Sequence, residues 1–468
     1  MPLILPGNVG SATASTGYDV DNSCRFNNSE YMTRTFGGAG NQKTWTFSTW
    51  CKKCKSGGQQ TFFGTSVDGS TYDLFSWGSD ETLGKNFNGA NTALGFFRDP
   101  SAWYHLVCGL DTTQGTDTNR VKIWVNGVRI TSFSGTGYPT QDADLTLNSA
   151  VRHDVGNGGA HWTSFLVGGY LAETVFIDGQ QLDADSFGEF DSDSPTIWKP
   201  IDVSGLTPGT NGFYFDYKDS SNLGNDAFGG TDWTATNFAA TDQSTDTPTN
   251  NFCTGNPLAN FYNQTTFSEG NCKATLASSP YGYDIGTFGV ANGKWYWEIK
   301  YTSGSGDPHN VGHFGISGKG ESLTASAGLG HQSGSSSTDY GYADEGGTGV
   351  LYTNESGADT DASRSFAIGN IIGIAIDLDS GTHTMTLYVN GNATTTDNIS
   401  SSPTSGFYFP AWGYGYSAGG AVFELNFGGS PAFTVSSGNA DDNGYGNFEY
   451  DVPSGYYALC TKNLAEYG

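Results

Sequence analysis

Two runs constrain this chain more than any other feature: Val121-Lys-Ile-Trp-Val-Asn-Gly-Val-Arg-Ile130 and Met385-Thr-Leu-Tyr-Val-Asn-Gly-Asn-Ala393. In each, apolar residues alternate up to a Val-Asn-Gly turn. Asn-Gly accepts φ > 0 at both central positions of a two-residue turn, the geometry whose twist matches that of the strands it joins. One run lies in each half of the chain. The sequence therefore reads as all-β, with two antiparallel β-sandwich (jelly-roll) domains in series. That layout suits a surface-displayed binding or structural protein better than an enzyme.

Composition agrees. The 468 residues are enough for two or three domains that each bury a core. Glycine, at 68 residues, has about twice its average share. Aromatic residues make up 14% and charged residues only 14%, where about a quarter is usual for charge. Such a mixture favours strands and turns over helices. The net charge of −27 disfavours nucleic acid and anionic membranes, since phosphates would be repelled. It favours solubility, and a salty medium would soften the self-repulsion.

Seven cysteines, an odd number at low density, do not make a disulfide scaffold. Assembly in a reducing cytoplasm is the simplest reading, with a single Cys253–Cys272 bridge left open. The start, Met1-Pro-Leu-Ile-Leu-Pro-Gly7, has no basic residue and too short an apolar run for a secretion signal. No window approaches the roughly 18 apolar residues of a membrane span. Release within a virion at lysis is one way for such a chain to leave the cell.

Residues 1–16 read as an arm, broken by Pro2, Pro6, Gly7 and Gly10. Residues 17–200 form the first β-domain, with strands at 44–50, 102–110, 121–130 and 164–179. Residues 201–256, rich in Thr, Asn, Asp, Gly and Ser, are a connector expected to pack on the domains, because a structureless loop of that length is unusual. Phe213-Tyr-Phe-Asp-Tyr217 is one further strand within it. Residues 257–468 form the second domain, with strands at 293–301, 311–317, 371–377, 385–390 and 421–428.

Five motifs in order carry a resemblance over the second domain: Gly-Lys-Trp-Tyr-Trp-Glu (293–298), Gly-His-Phe-Gly-Ile-Ser (312–317), Gly-Asn-Ile-Ile-Gly-Ile-Ala-Ile-Asp-Leu-Asp (369–379), Thr-Leu-Tyr-Val-Asn-Gly (386–391) and Leu-Asn-Phe-Gly (425–428). It resembles a SPRY domain, which implies a bent β-sandwich that offers loops to a partner and has no catalytic site. The first domain is similar to laminin-G-like, concanavalin A-type jelly rolls through Phe47-Ser-Thr-Trp50, Trp103-Tyr-His-Leu-Val-Cys108, Ile123-Trp-Val-Asn-Gly127 and Gly169-Tyr-Leu-Ala-Glu173. That likeness implies a glycan or protein ligand and allows Ca²⁺ held by loop carboxylates.

The combination extends the likeness to most of the chain. With Ser194-Pro-Thr-Ile-Trp-Lys-Pro200, the 219–226 run, Thr247-Pro-Thr-Asn-Asn-Phe252 and the ending 452–464, it resembles virion fibre, spike or decoration proteins of tailed bacteriophages. This implies synthesis in a host cytoplasm, residence on the virion, contact with other virion proteins and a homo-oligomer, with a trimer favoured.

Chemical motifs are outweighed by plainer readings. Gly415-Tyr-Ser-Ala-Gly419 has the spacing of a hydrolase elbow, but a strand follows where a helix is needed, and the last histidine, His383, lies upstream. Cys51 and Cys54 have redox or zinc spacing, yet positions i and i+3 of a strand face opposite sides. His309 and His313, with Asp307 nearby, lack further zinc ligands. Glu189-Phe-Asp-Ser-Asp193 lacks the second glutamate of a glycanase, since position 194 is Ser. Asp68, Asp73, Asp111 and Asp117 lie in or near loops where a hard cation could bind.

Aromatic loop residues are the best site candidates, because ring faces stack on the apolar faces of sugars at little entropic cost. They are Tyr72, Trp77, His161, Trp162, Tyr340 and Tyr342; Trp412, Tyr414 and Tyr416 read as part of a sheet. The leading expectation is a non-enzymatic virion surface protein that mediates attachment to a host-surface glycan or protein, or particle assembly. The alternatives are a polysaccharide depolymerase or glycanase on a jelly-roll scaffold, and a capsid-stabilising decoration without a receptor.

Overall fold

Both Asn-Gly turns form in the computed structural model, with φ of +48° and +74° at Asn126 and Gly127, and +48° and +78° at Asn390 and Gly391. They join Val121–Val125 to Val128–Ile130 and Thr384–Val389 to Asn392–Asn398. The structure describes residues 17–468 except 134–136, 260–264, 277–281, 305–311, 320–327, 331–337, 354–358 and 415–419. The arm 1–16, Asp307, His309, Tyr416 and the 415–419 motif lie outside the described residues. The chain divides between Thr249 and Asn250 into two units.

The first unit packs two antiparallel sheets. One runs in the order Val128–Ile130, Val121–Val125, Trp103–Asp111, Thr44–Lys53, Gly168–Asp178, Ser23–Asn27 and Gln243–Ser244, with Phe213–Phe215 also paired to Gly168–Asp178. The other runs Thr234–Thr236, Tyr31–Thr35, Arg152–Val155, Gln60–Ser66, Tyr72–Trp77, Thr82–Phe87 and Ala90–Phe96. Alternation decides the faces. Trp45, Phe47 and Cys51 point into the core with Phe63, Phe75 and Phe176. Their neighbour Trp50 joins Val107, Trp124, Tyr170 and Val175 on the other side, under a cover that includes Phe187 and Trp198. A strand buried on both faces loses the simple apolar–polar alternation of a solvated sheet.

The second unit repeats the plan. Its larger sheet runs Thr266–Ser268, Lys273–Thr275, Val422–Asn426, Lys294–Ser303, Ile371–Asp377, Thr384–Val389 and Asn392–Asn398, with Tyr457–Ala458 parallel to Lys294–Ser303. The smaller runs Gly282–Ile285, Phe409–Tyr414, Gly312–Ser317, Asp339–Asp344, Gly349–Thr353 and Asp359–Thr360. Trp295, Trp297 and Ile299 enter the core with Phe314, Ile316 and Trp412. Tyr296 and Glu298 face outward beneath the C-terminal segment. There the Glu298 carboxylate accepts hydrogen bonds from the Glu449 and Tyr450 amides, both at 2.9 Å, and from Asn426 Nδ2 at 3.1 Å.

The connector expected at 201–256 divides differently. Phe213–Phe215, Thr234–Thr236 and Gln243–Ser244 are strands of the first unit, and residues from Asn250 belong to the second. Two ionic contacts fasten the tail of the first unit. Lys52 Nζ meets Asp246 at 2.6 Å with both groups buried, and Arg25 meets Asp242 at 3.2 Å. The composition of 201–249 misleads because its Asp and Asn side chains cap its own turns, as Asp219 does for Ser221 at 2.9 Å.

Candidate binding site

One rim of the first unit gathers aromatic side chains from two loops. The hairpin tip between Gln60–Ser66 and Tyr72–Trp77 is closed by Asp68, whose carboxylate accepts from the Ser70 and Thr71 amides at 2.7 Å each. These bonds hold the exposed carboxyl below its ordinary range. Ser66 ties the second loop to this tip. Its hydroxyl donates to the Gly158 carbonyl at 2.7 Å and accepts from the His161 and Trp162 amides at 2.8 and 3.1 Å. Gly159 must be glycine: φ is +89°, and a Cβ there would collide with the Ser66 backbone.

Trp162 is the centre of the rim. It stacks on Phe165 at 5.1 Å, meets the edge of His161 at 4.7 Å and crosses Tyr72 at 5.8 Å, the latter two nearly perpendicular. Tyr72, Trp162 and Phe165 are half-buried and His161 is exposed. Asn86 donates to the Tyr72 hydroxyl at 3.0 Å. Trp162 Nε1 and Asn86 Oδ1 have no hydrogen-bond partner among the described residues. Both atoms are themselves buried, so what the rim offers a ligand is its part-exposed rings, and these suit the apolar face of a sugar.

The structure thus brings together Tyr72, His161 and Trp162 from the sequence-derived set. Trp77 is 1% exposed and packs in the core against Phe62, with Lys53 Nζ 5.2 Å from its ring. Tyr342 is fully buried in the second unit, its hydroxyl 2.8 Å from Asp397 Oδ2 and 2.9 Å from the Met385 carbonyl. Tyr340 is half-buried against the same core, and its hydroxyl accepts from the Ser400 amide at 2.9 Å. These three are packing residues. Two members of the rim, Phe165 and Asn86, were not foreseen. Phe165 follows Trp162 by three positions in a Gly-rich loop, which was a usable signal; Asn86 gave none.

Groups that could do chemistry are otherwise engaged. Ser48 lies 2.8 Å from His105 Nε2, but Trp198 Nε1 donates to His105 Nδ1 at 2.9 Å. The imidazole is therefore neutral with its proton on Nε2, so it donates to Ser48 and cannot accept that hydroxyl's proton. Burial holds its pKa down at about 3. Glu173 is pushed up to about 7 by burial, and its Oε2 accepts from Tyr214 at 2.7 Å and from Tyr18 at 3.3 Å. At 5% exposure it faces no cleft. Asp191 closes its own turn and meets Lys199 at 3.2 Å, so the Glu189–Asp193 segment is a charged ribbon end.

Metal ligands do not assemble. Among the described residues no three His, Cys, Asp or Glu side chains come together as a metal site. Asp73 is buried, where it accepts from the Asn88 and Leu147 amides at 2.6 and 2.9 Å, and Asp111 caps Thr113 at 3.1 Å. Asp117 opens a short helical turn. Cys51 enters the core while Cys54 packs against the opposite face of the sheet, as strand parity requires. No disulfide joins any of the seven cysteines, Cys253 and Cys272 included.

The SPRY domain family matches residues 294–430, less than a third of the chain. Comparison with curated proteins finds no match. Among solved structures, the SPRY domain of human HERC1 is similar over 34% of this chain and 91% of its own, at 19% identity and a TM-score of 0.26. Domains LG4-5 of the mouse laminin alpha1 chain cover 94% of this chain and 96% of their own, at 13% identity and a TM-score of 0.30. A putative carbohydrate-binding protein from Bacteroides ovatus covers 47% of this chain and 59% of its own, at 14% identity and a TM-score of 0.34. Likenesses this distant leave the ligand open. The chain is a nearly all-β protein whose second sandwich contains a region that matches the SPRY domain family.

Proposed function

We propose that the protein is a non-enzymatic binding protein, and that the rim formed by Tyr72, His161, Trp162 and Phe165 takes a sugar residue of a cell-surface glycan. The observation that carries this reading is the Trp162 cluster: part-exposed rings on a loop that Ser66 holds rigid, beside the exposed His161. Rings fixed by packing lose little freedom on binding, so more of the contact energy appears as affinity. The occupied Ser48–His105 pair and the enclosed Glu173 weigh against turnover.

The motif series across the chain further supports placement on a phage particle, as a fibre, spike or decoration protein. Its partners there would be other virion proteins and a host-surface glycan or protein. Weak single contacts would gain strength through many copies. Incubating the protein with host polysaccharide tests both parts. Retention of the polysaccharide without new reducing ends is expected. New reducing ends would make it a depolymerase. Normal adsorption of particles lacking the protein, together with fragile heads, would make it a decoration without a receptor.

A further inference from the structure

Asp68 sets an exposed carboxylate at the edge of the rim. Gly69, the next residue, lies so near the rim that a Cβ on it would stand 3.4 Å from His161 Nε2. Asp68 and His161 are close enough to act on each other electrostatically. The tip and the loop keep this spacing because the Ser66 hydroxyl, two residues before Asp68, accepts from the His161 and Trp162 amides. Asp68 Oδ1 is fixed in turn by the Ser70 and Thr71 amides.

Neither the tip, residues 67–71, nor the loop, residues 156–167, contains lysine or arginine. The cations on the strands around them are engaged elsewhere. Arg152, on the strand paired with Gln60–Ser66, is bidentate on Asp154 through Nε and Nη2, both at 2.8 Å. Lys85 is buried and donates to the Gly137 carbonyl at 2.6 Å. The rings themselves do not discriminate by charge, because they meet only the apolar face of a sugar. A fixed carboxylate beside them does. An acidic sugar on Trp162 brings a second negative charge to the tip, whereas a hydroxyl or an ammonium group donates a hydrogen bond to the carboxylate. Specificity of this kind comes from the repulsive element as much as from the attractive one.

We propose that Asp68 sets the specificity of the rim: it admits neutral and amine-bearing sugars and turns acidic ones away. This rests on the sugar reading of the rim and narrows its ligand class. Asp68→Asn is the matching variant, since asparagine keeps the Oδ1 that closes the tip and removes the charge.

The test uses the full chain on an array whose glycans share backbones in neutral, amine-bearing and acidic forms, at pH 8, above the ordinary histidine range. The glycans that Trp162→Ala no longer retains report on the rim, and they should be neutral or amine-bearing. In Asp68→Asn, retention of the acidic form relative to the neutral form of one backbone should rise about threefold, the effect of removing a like charge about 7 Å away in water. Added salt should raise the same ratio in the unaltered protein. Acidic glycans among those that depend on Trp162 overturn the proposal and leave the rim a sugar site. So does a ratio that neither Asp68→Asn nor salt changes. An array with no glycan that depends on Trp162 overturns the sugar reading and this proposal together.

Discussion

Asp284 lies buried on the strand Gly282–Ile285 with one donor within reach, the Thr265 hydroxyl at 2.6 Å, and its Oδ1 has no partner among the described residues. Burial pushes its pKa up to about 7. The folded protein thus holds a proton that the unfolded chain, titrating at about 4, releases. Stability from this group is fully present below pH 4 and is lost as pH rises from about 4 to 7. Asp284→Asn should therefore flatten the fall in unfolding free energy between pH 4 and 8; parallel pH profiles for the two proteins would refute this. The comparison is needed because self-repulsion of the net negative charge acts in the same direction. Burial also pushes Cys108 and Cys460 up to about 12, whereas Cys54 is part-exposed. A disulfide reagent should label one thiol rapidly in the native protein and all seven after denaturation; several fast thiols would contradict this packing. Parity explains which site residues were legible. Tyr72 and Trp77 share a strand five positions apart and so face opposite sides, Trp77 inward with Phe75. Tyr340 and Tyr342 share parity, and both turn toward the core.

Elements with strong local signals form where the sequence places them. The Asn-Gly hairpins do, and so do the aromatic strands Thr44–Lys53 and Lys294–Ser303. Elements held only by distant partners were hidden. Gln243–Ser244 is polar and two residues long, and it is a strand because Ser23–Asn27 pairs with it and Asp246 meets Lys52 nearby. The hairpin turns also make a sharp prediction. Gly391 has φ +78°, and a Cβ there would run into the Tyr450 ring. Gly391→Ala should cost about 1–2 kcal/mol from the left-handed backbone alone, and more from Tyr450. Gly381→Ala, where a Cβ meets open space, should change stability by less than about 0.5 kcal/mol. Equal effects in chemical unfolding would show that the turn geometry is not what the structure gives.

For the whole molecule, the all-β class was legible from composition and alternation, while the boundary was not. Turn-rich composition suggested a connector at 201–256, but the strands within 201–249 complete the first unit's sheets. Separate expression of residues 1–249 and 250–468 should yield two folded pieces. A cut after residue 200 should leave an unstable first piece, since it removes Phe213, Phe215 and Trp233 from the core. Stable folding of 1–200 would contradict the division. The rim was half legible: its rings could be listed from the sequence, but their meeting depends on Ser66 joining two loops about 95 positions apart. The central claim is that this rim binds sugar without turning it over. Its most direct test is titration of the glycan that best retains the protein on an array into unaltered protein and into Trp162→Ala. Affinity should fall at least about tenfold in the variant, about 1.4 kcal/mol, with native circular dichroism and an intact glycan in both samples. Equal affinity in a folded Trp162→Ala protein would contradict the account.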